Sequence, residues 1–133
     1  MTPGVRVAAG EFSSSERYEI DRAIRAAETA SRCEFSVFVG DAGVDPDAYA
    51  RRLHARLVAP TRSVLILVDP GSRALSVVTG ATVRRNLTDG EVQLAVLQME
   101  SAFAEGDVVG GLKRGIAMLA EHARAPQTLH AES

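Results

Sequence analysis

The sequence predicts an α/β fold in which a small mixed β-sheet is sandwiched between helices (α/β/α). Three observations predict it. EFSVFV at 34–39 alternates, SVLILV at 63–68 is a continuous apolar run, and a helical pattern separates them; together they read as a β-α-β unit. The turn Asp69-Pro70-Gly71-Ser72 then leads into ALSVVT at 74–79, so a β-hairpin extends the sheet. Helical periodicity before the first strand and after the hairpin, with two C-terminal helices, supplies cover for both faces.

Each element has its own signal. Ser13 and Glu16 form an S-x-x-E capping box, and Ile20, Ala23, Ile24, Ala27 and Ala30 follow at helical spacing, which places a helix over 14–31. Asp45 before Pro46 is an N-cap with proline in the first turn, and Ala50, Leu53 and Leu57 carry that second helix's apolar face. His54 is expected on its polar side. SVLILV suits a central strand covered on both faces, parallel to 34–39 through a right-handed crossover. In the hairpin turn proline sets its own φ and Gly71 is the residue expected to tolerate positive φ. Thr88 and Glu91 make a second capping box, opening a helix with Val92, Ala95, Val96, Met99 and Phe103 inward. Gly106 ends it, and Asp107 caps a last helix through Leu112, Ile116 and Leu119. Gly111 and Gly115, four apart, suit close helix packing.

The chain has 133 residues, the size of one domain, which spans 11–124. Residues 1–10 and 125–133 lack periodicity and are expected to be flexible ends. Net charge is -2 with basic and acidic residues interleaved, so no basic face marks a nucleic-acid binder. No window approaches the roughly 18 apolar residues of a membrane span, and the opening MTPGVRVAAGEF does not read as a signal peptide. A single Cys33 excludes an intrachain disulfide and fits a reducing, cytoplasmic setting. Cys33 reads as a buried structural thiol, and none of His54, His122 and His130 has a zinc-ligand spacing.

Strand direction divides the candidate chemistry between the two ends of the sheet. The carboxy ends of the parallel strands gather Gly40, Asp41, Asp45 and Asp69, with Asp47 nearby, and ligands favour that end of open α/β sheets. Asp41, Asp45 and Asp69 offer hard oxygens suited to calcium or magnesium. As local structure, Asp45 is a cap and Asp69 opens a turn; Asp41 has no such task and is the leading metal candidate. The opposite end gathers TGATVRRNLTDGE, where Gly80, Arg84, Arg85 and the helix start at Thr88 bring guanidinium groups and free amides of the kind that hold a phosphate. Asp89 and Glu91 compete for the same amides, and a polar loop is the reading preferred for this stretch.

DPDAYARRL before the central strand, SVLILVDPGSRALSVVTG, NLTDGEV and AFAEGDVVGGLKRGI together resemble the TPM domain family over about Gly10 to Ala123. The resemblance implies an α/β sandwich, and it implies the calcium and phosphatase chemistry associated with some members. The chain departs from the family pattern at Thr82, where a second glycine is usual, at Arg84, where an acidic residue is usual, and at Ser101, where a proline is usual. The combined expectation is a non-enzymatic binding or regulatory module with a protein partner. The alternative is a divalent-metal-dependent phosphatase acting on phosphomonoesters.

Overall fold

The structure, a computed structural model, describes residues 5–7 and 12–125. The elements run β1 (Val5–Val7), α1 (Ser14–Ser31), β2 (Glu34–Val39), α2 (Pro46–Ala55), β3 (Ser63–Asp69), β4 (Ala74–Thr79), α3 (Asp89–Ala104) and α4 (Val108–Ala123). The sheet order is β1-β2-β3-β4; β1, β2 and β3 are parallel and β4 is antiparallel to β3. The small mixed sheet between helices is therefore as the sequence predicts. β1 is a correction: Val5–Val7 lies in the segment expected to be a flexible end, yet it pairs with Val37–Val39. Three residues carry too little pattern to announce a strand, and only the neighbouring strand organises them. Of the rest of the expected flexible ends, 1–4, 8–10 and 126–133 lie outside the described residues.

Two cores lie on the two faces of the sheet. Phe35, Val37 and Val39 of β2, with Val64, Ile66 and Val68 of β3, pack under Ile20, Ile24, Met99, Leu112 and Ile116 of α1, α3 and α4. Leu65 and Leu67 turn the other way, onto Ala50 of α2 with Leu53 and Tyr49 beside it. That two-sided burial explains why β3 is apolar at every position from Val64 to Val68. Because β1, β2 and β3 lie side by side in sequence order while α1 and α2 cover opposite faces, the two crossovers have opposite hands. One of them runs against the right-handed rule.

Both capping boxes form, Ser13 with Glu16 and Thr88 with Glu91. Gly106, at φ 85°, ends α3 as expected. A β-carbon on Gly115 would lie 2.4 Å from Met99 Sδ, and one on Gly111 2.7 Å from Phe103 Cε1, so the two glycines let α4 sit directly against α3. Two details correct the sequence reading. His54 is buried rather than on a polar face, with Nε2 2.9 Å from the Ser63 carbonyl oxygen. In the hairpin the residue at positive φ is Arg73 (φ 58°), not Gly71.

Candidate functional site

The parallel pairing of β2 with β3 brings the predicted acidic end together in sequence order. Gly40 N–H donates to the Val68 carbonyl at 3.0 Å, so the loop after β2 starts beside the end of β3. Asp69, only 5% exposed, fastens this junction. Its Oδ2 accepts from Ala42 N–H at 3.0 Å and its Oδ1 from Ser72 N–H at 3.3 Å, tying the β2–α2 loop to the hairpin turn. The Ala42 hydrogen bond does most to hold this carboxyl below the usual carboxylate range; bonds from Ser72 and Gly71 add to it, and burial opposes them.

Asp41 does have a local task, contrary to expectation: its Oδ1 accepts from Gly43 N–H at 2.9 Å in a tight Asx turn. Asp45 caps α2 through Ala48 N–H at 3.1 Å. Asp47 accepts a hydrogen bond from the Ser76 hydroxyl of β4. Asp41 and Asp69 border one open depression with Gly40, Gly43 and Ser72, whereas Asp45 borders a neighbouring one with Asp41 and Tyr49. Among the described residues no group of three or more His, Cys, Asp or Glu side chains is arranged to hold a metal ion.

At the opposite end, Gly80 closes the sheet against the 3-10 turn at Pro60–Arg62. Its N–H donates to the Ser63 carbonyl at 3.0 Å, and Thr82 N–H donates to the Thr61 carbonyl at 2.8 Å. A β-carbon on Gly80 would stand 2.0 Å from the Pro60 carbonyl oxygen and 2.4 Å from that of Thr61, so this position takes glycine because two backbones meet there. Val83 and Leu87 anchor the following turn in the core. Arg84 and Arg85 stay exposed, and the Arg84 guanidinium donates to the Thr79 carbonyl. At the start of α3, Thr88 N–H donates to Glu91 Oε1 at 2.9 Å and Glu91 N–H to Thr88 Oγ1 at 3.2 Å, so the capping box takes two donors an anion would need. The Thr88 N–H lowers the Glu91 carboxyl below its ordinary range, helped by the Thr88 hydroxyl and by His122, whose Nδ1 is 3.2 Å away.

Cys33 is buried as expected, and desolvation raises its thiol pKa against a Ser31 hydrogen bond and the Arg62 charge. The feature that sequence reasoning missed is a cleft of about 420 Å³ between the hairpin and the α3–α4 junction, lined by Leu75, Phe103, Ala104 and Val108 together with the charged Asp69, Arg73 and Glu100. No local pattern marks it, because Leu75 meets Phe103, Ala104 and Val108 only through the fold, from about 30 residues along the chain.

With this geometry in view, a family model described as a domain of unknown function, DUF5130, matches residues 1–120. The chain belongs to the DUF5130 family. It is 32% identical over 108 residues to an uncharacterized protein of Mycobacterium tuberculosis, found in two strains, covering 81% of this chain and 65% of that relative. The DUF5130 chain thus spans about two thirds of the length of the curated relatives it matches.

Solved structures share the fold. The N-terminal domain of the cg2496 protein from Corynebacterium glutamicum has a TM-score of 0.77 at 18% identity, over 96% of this chain and 84% of that one. An N-terminal domain from P. gingivalis gives 0.76 at 18%, over 92% and 87%. The BA42 protein from Bizionia argentinensis gives 0.75 at 20%, over 87% and 84%. At such identities the likeness concerns the fold alone. No described helix is long and apolar enough to cross a membrane.

Proposed function

We propose that this DUF5130 domain is a non-enzymatic binding or regulatory module whose partner is a protein, built on the TPM-like fold that its motif stretches resemble. One observation carries the reading. Every acidic candidate already serves the fold: Asp69 ties a loop to a turn, Asp41 closes an Asx turn and Asp45 caps a helix. A hydrolase needs a base or nucleophile aligned with a partner and aimed at a reacting atom. Here the carboxylates are aimed at backbone amides. The arginine loop is likewise explained by closure of the sheet at Gly80 and the cap at Thr88. A single buried thiol supports cytoplasmic residence.

A second reading, the divalent-metal-dependent phosphatase, draws on a depression bordered by both Asp41 and Asp69, whose hard oxygens suit calcium or magnesium. The two readings separate in one assay. Hydrolysis of p-nitrophenyl phosphate is followed from pH 5 to 8 with millimolar calcium or magnesium, beside the Asp41→Asn variant. The binding-module reading expects no turnover above the buffer blank. Metal-dependent turnover that Asp41→Asn abolishes would replace it with the phosphatase.

A further inference from the structure

We propose that the outer edge of β4 receives an extended, acidic-flanked segment of a partner protein as a fifth strand; the inference rests on the binding-module reading and names the partner's chemistry. β4 ends the sheet order, and among the described residues no strand lies beyond it. The Gly80 N–H to Ser63 carbonyl bond fixes which backbone groups point inward. By antiparallel alternation Val78, Ser76 and Ala74 face β3, whereas Thr79, Val77 and Leu75 face outward. The Val68 carbonyl, which accepts from Gly40 N–H on the β2 side, agrees with that phase. Arg84 covers the Thr79 carbonyl, which leaves the N–H and C=O groups of Leu75 and Val77 facing outward.

Edge strands ordinarily carry a charge, a proline or a bulge that prevents pairing. Ala74–Thr79 has no charge, no proline and an unbroken six-residue ladder to β3. The guards stand outside it. Arg73 precedes the strand, Arg84 and Arg85 follow it, all three are exposed, and none has an ion-pair partner among the described residues. Two copies paired antiparallel through Leu75 and Val77 would set Arg73 of one beside Thr79 and Arg84 of the other, so like charges oppose self-association. An extended segment with acidic residues at both ends meets attraction at both. The cleft beside Leu75, lined by Phe103, Ala104 and Val108, takes one apolar side chain of that segment; Asp69 and Glu100 also line it, so the acids of the segment belong at its two ends, beside Arg73 and Arg84, and not at the cleft. Main-chain pairing for affinity and an alternate-residue pocket for specificity are how strand addition works.

The test uses the full chain and a synthetic probe, acetyl-Asp-Glu-Val-Thr-Val-Thr-Glu-Asp-amide, which extends about 27 Å against roughly 20 Å for the edge. Amide NMR titration should give saturable shifts centred on Leu75 and Val77, weakened by salt. A peptide with lysine in place of every acid should bind weakly, and one with proline replacing the central threonine and valine should not bind. Arg73→Glu with Arg84→Glu should weaken the acidic peptide by about tenfold and strengthen the lysine peptide. Saturable shifts elsewhere, equal binding of the proline peptide, or no shifts at millimolar acidic peptide would overturn the proposal. Each would leave the absence of phosphatase turnover, and so the binding-module reading, standing on its own assay.

Discussion

Replacing Gly80 by alanine separates a structural glycine from a ligand cradle. The added methyl would sit 2.0 Å and 2.4 Å from two carbonyl oxygens, more than 1 Å inside ordinary contact. Both oxygens belong to backbone, so no side chain can swing away. The two segments are also tied by the Gly80–Ser63 and Thr82–Thr61 hydrogen bonds, which must stretch if the strands part. Overpacking of this kind costs about 1–3 kcal/mol, and weakening two backbone bonds adds about 1–2 kcal/mol. A loss near 3 kcal/mol would lower the Tm of a domain this size by about 10 °C. Urea titration and a thermal scan followed by circular dichroism read both quantities. A loss under about 0.5 kcal/mol would refute the close-approach argument, and unchanged stability with lost phosphate binding would return Gly80 to the anion cradle.

Thr88→Ala should cost about 1 kcal/mol through the lost cap, whereas Arg84→Ala with Arg85→Ala should stay within about 0.5 kcal/mol, both by urea denaturation. Gly115→Ala should destabilise by about 1–3 kcal/mol, and adding Met99→Ala should cost less than the sum of the single changes, because the thioether is what the new methyl meets. Asp69 has a lowered folded pKa, so its contribution is present above the unfolded carboxylate value of about 3.9 and is lost as pH falls through the folded value. Stability measured by urea from pH 6 to pH 2 should therefore fall more steeply in the native chain than in Asp69→Asn; parallel curves would show that the loop-to-turn bonds carry no charge linkage.

The legible parts of the fold were those written in local chemistry. Capping boxes at Ser13 and Thr88, the proline after Asp45 and the hairpin turn after β3 each act within four residues, and their elements begin where the sequence indicates; α2, however, ends at Ala55, so Leu57, expected on its apolar face, packs on the same core from beyond the helix. What the sequence hid depends on partners far along the chain. Val5–Val7 becomes a strand only beside β2, and His54 is buried because the Ser63 carbonyl meets it from another element. Arg73, not Gly71, takes positive φ because the turn, bridged from Pro70 to Arg73, reverses one residue later than the glycine suggests. The same limit applied to the site. Strand directions separate Asp41, Asp45 and Asp69 from the Arg84–Arg85 loop, as the parallel and antiparallel pairings bear out, but whether the carboxylates converge depends on where each side chain's nearest amide lies.

The most direct test of the central claim, that these carboxylates serve the fold rather than a reaction, is an amide NMR titration of the native chain with calcium and then magnesium. The account predicts no saturable shifts at Gly40–Asp45 or Asp69–Ser72 up to millimolar ion. Saturable shifts at both segments, lost in Asp41→Asn while that variant keeps its apo Tm, would contradict it.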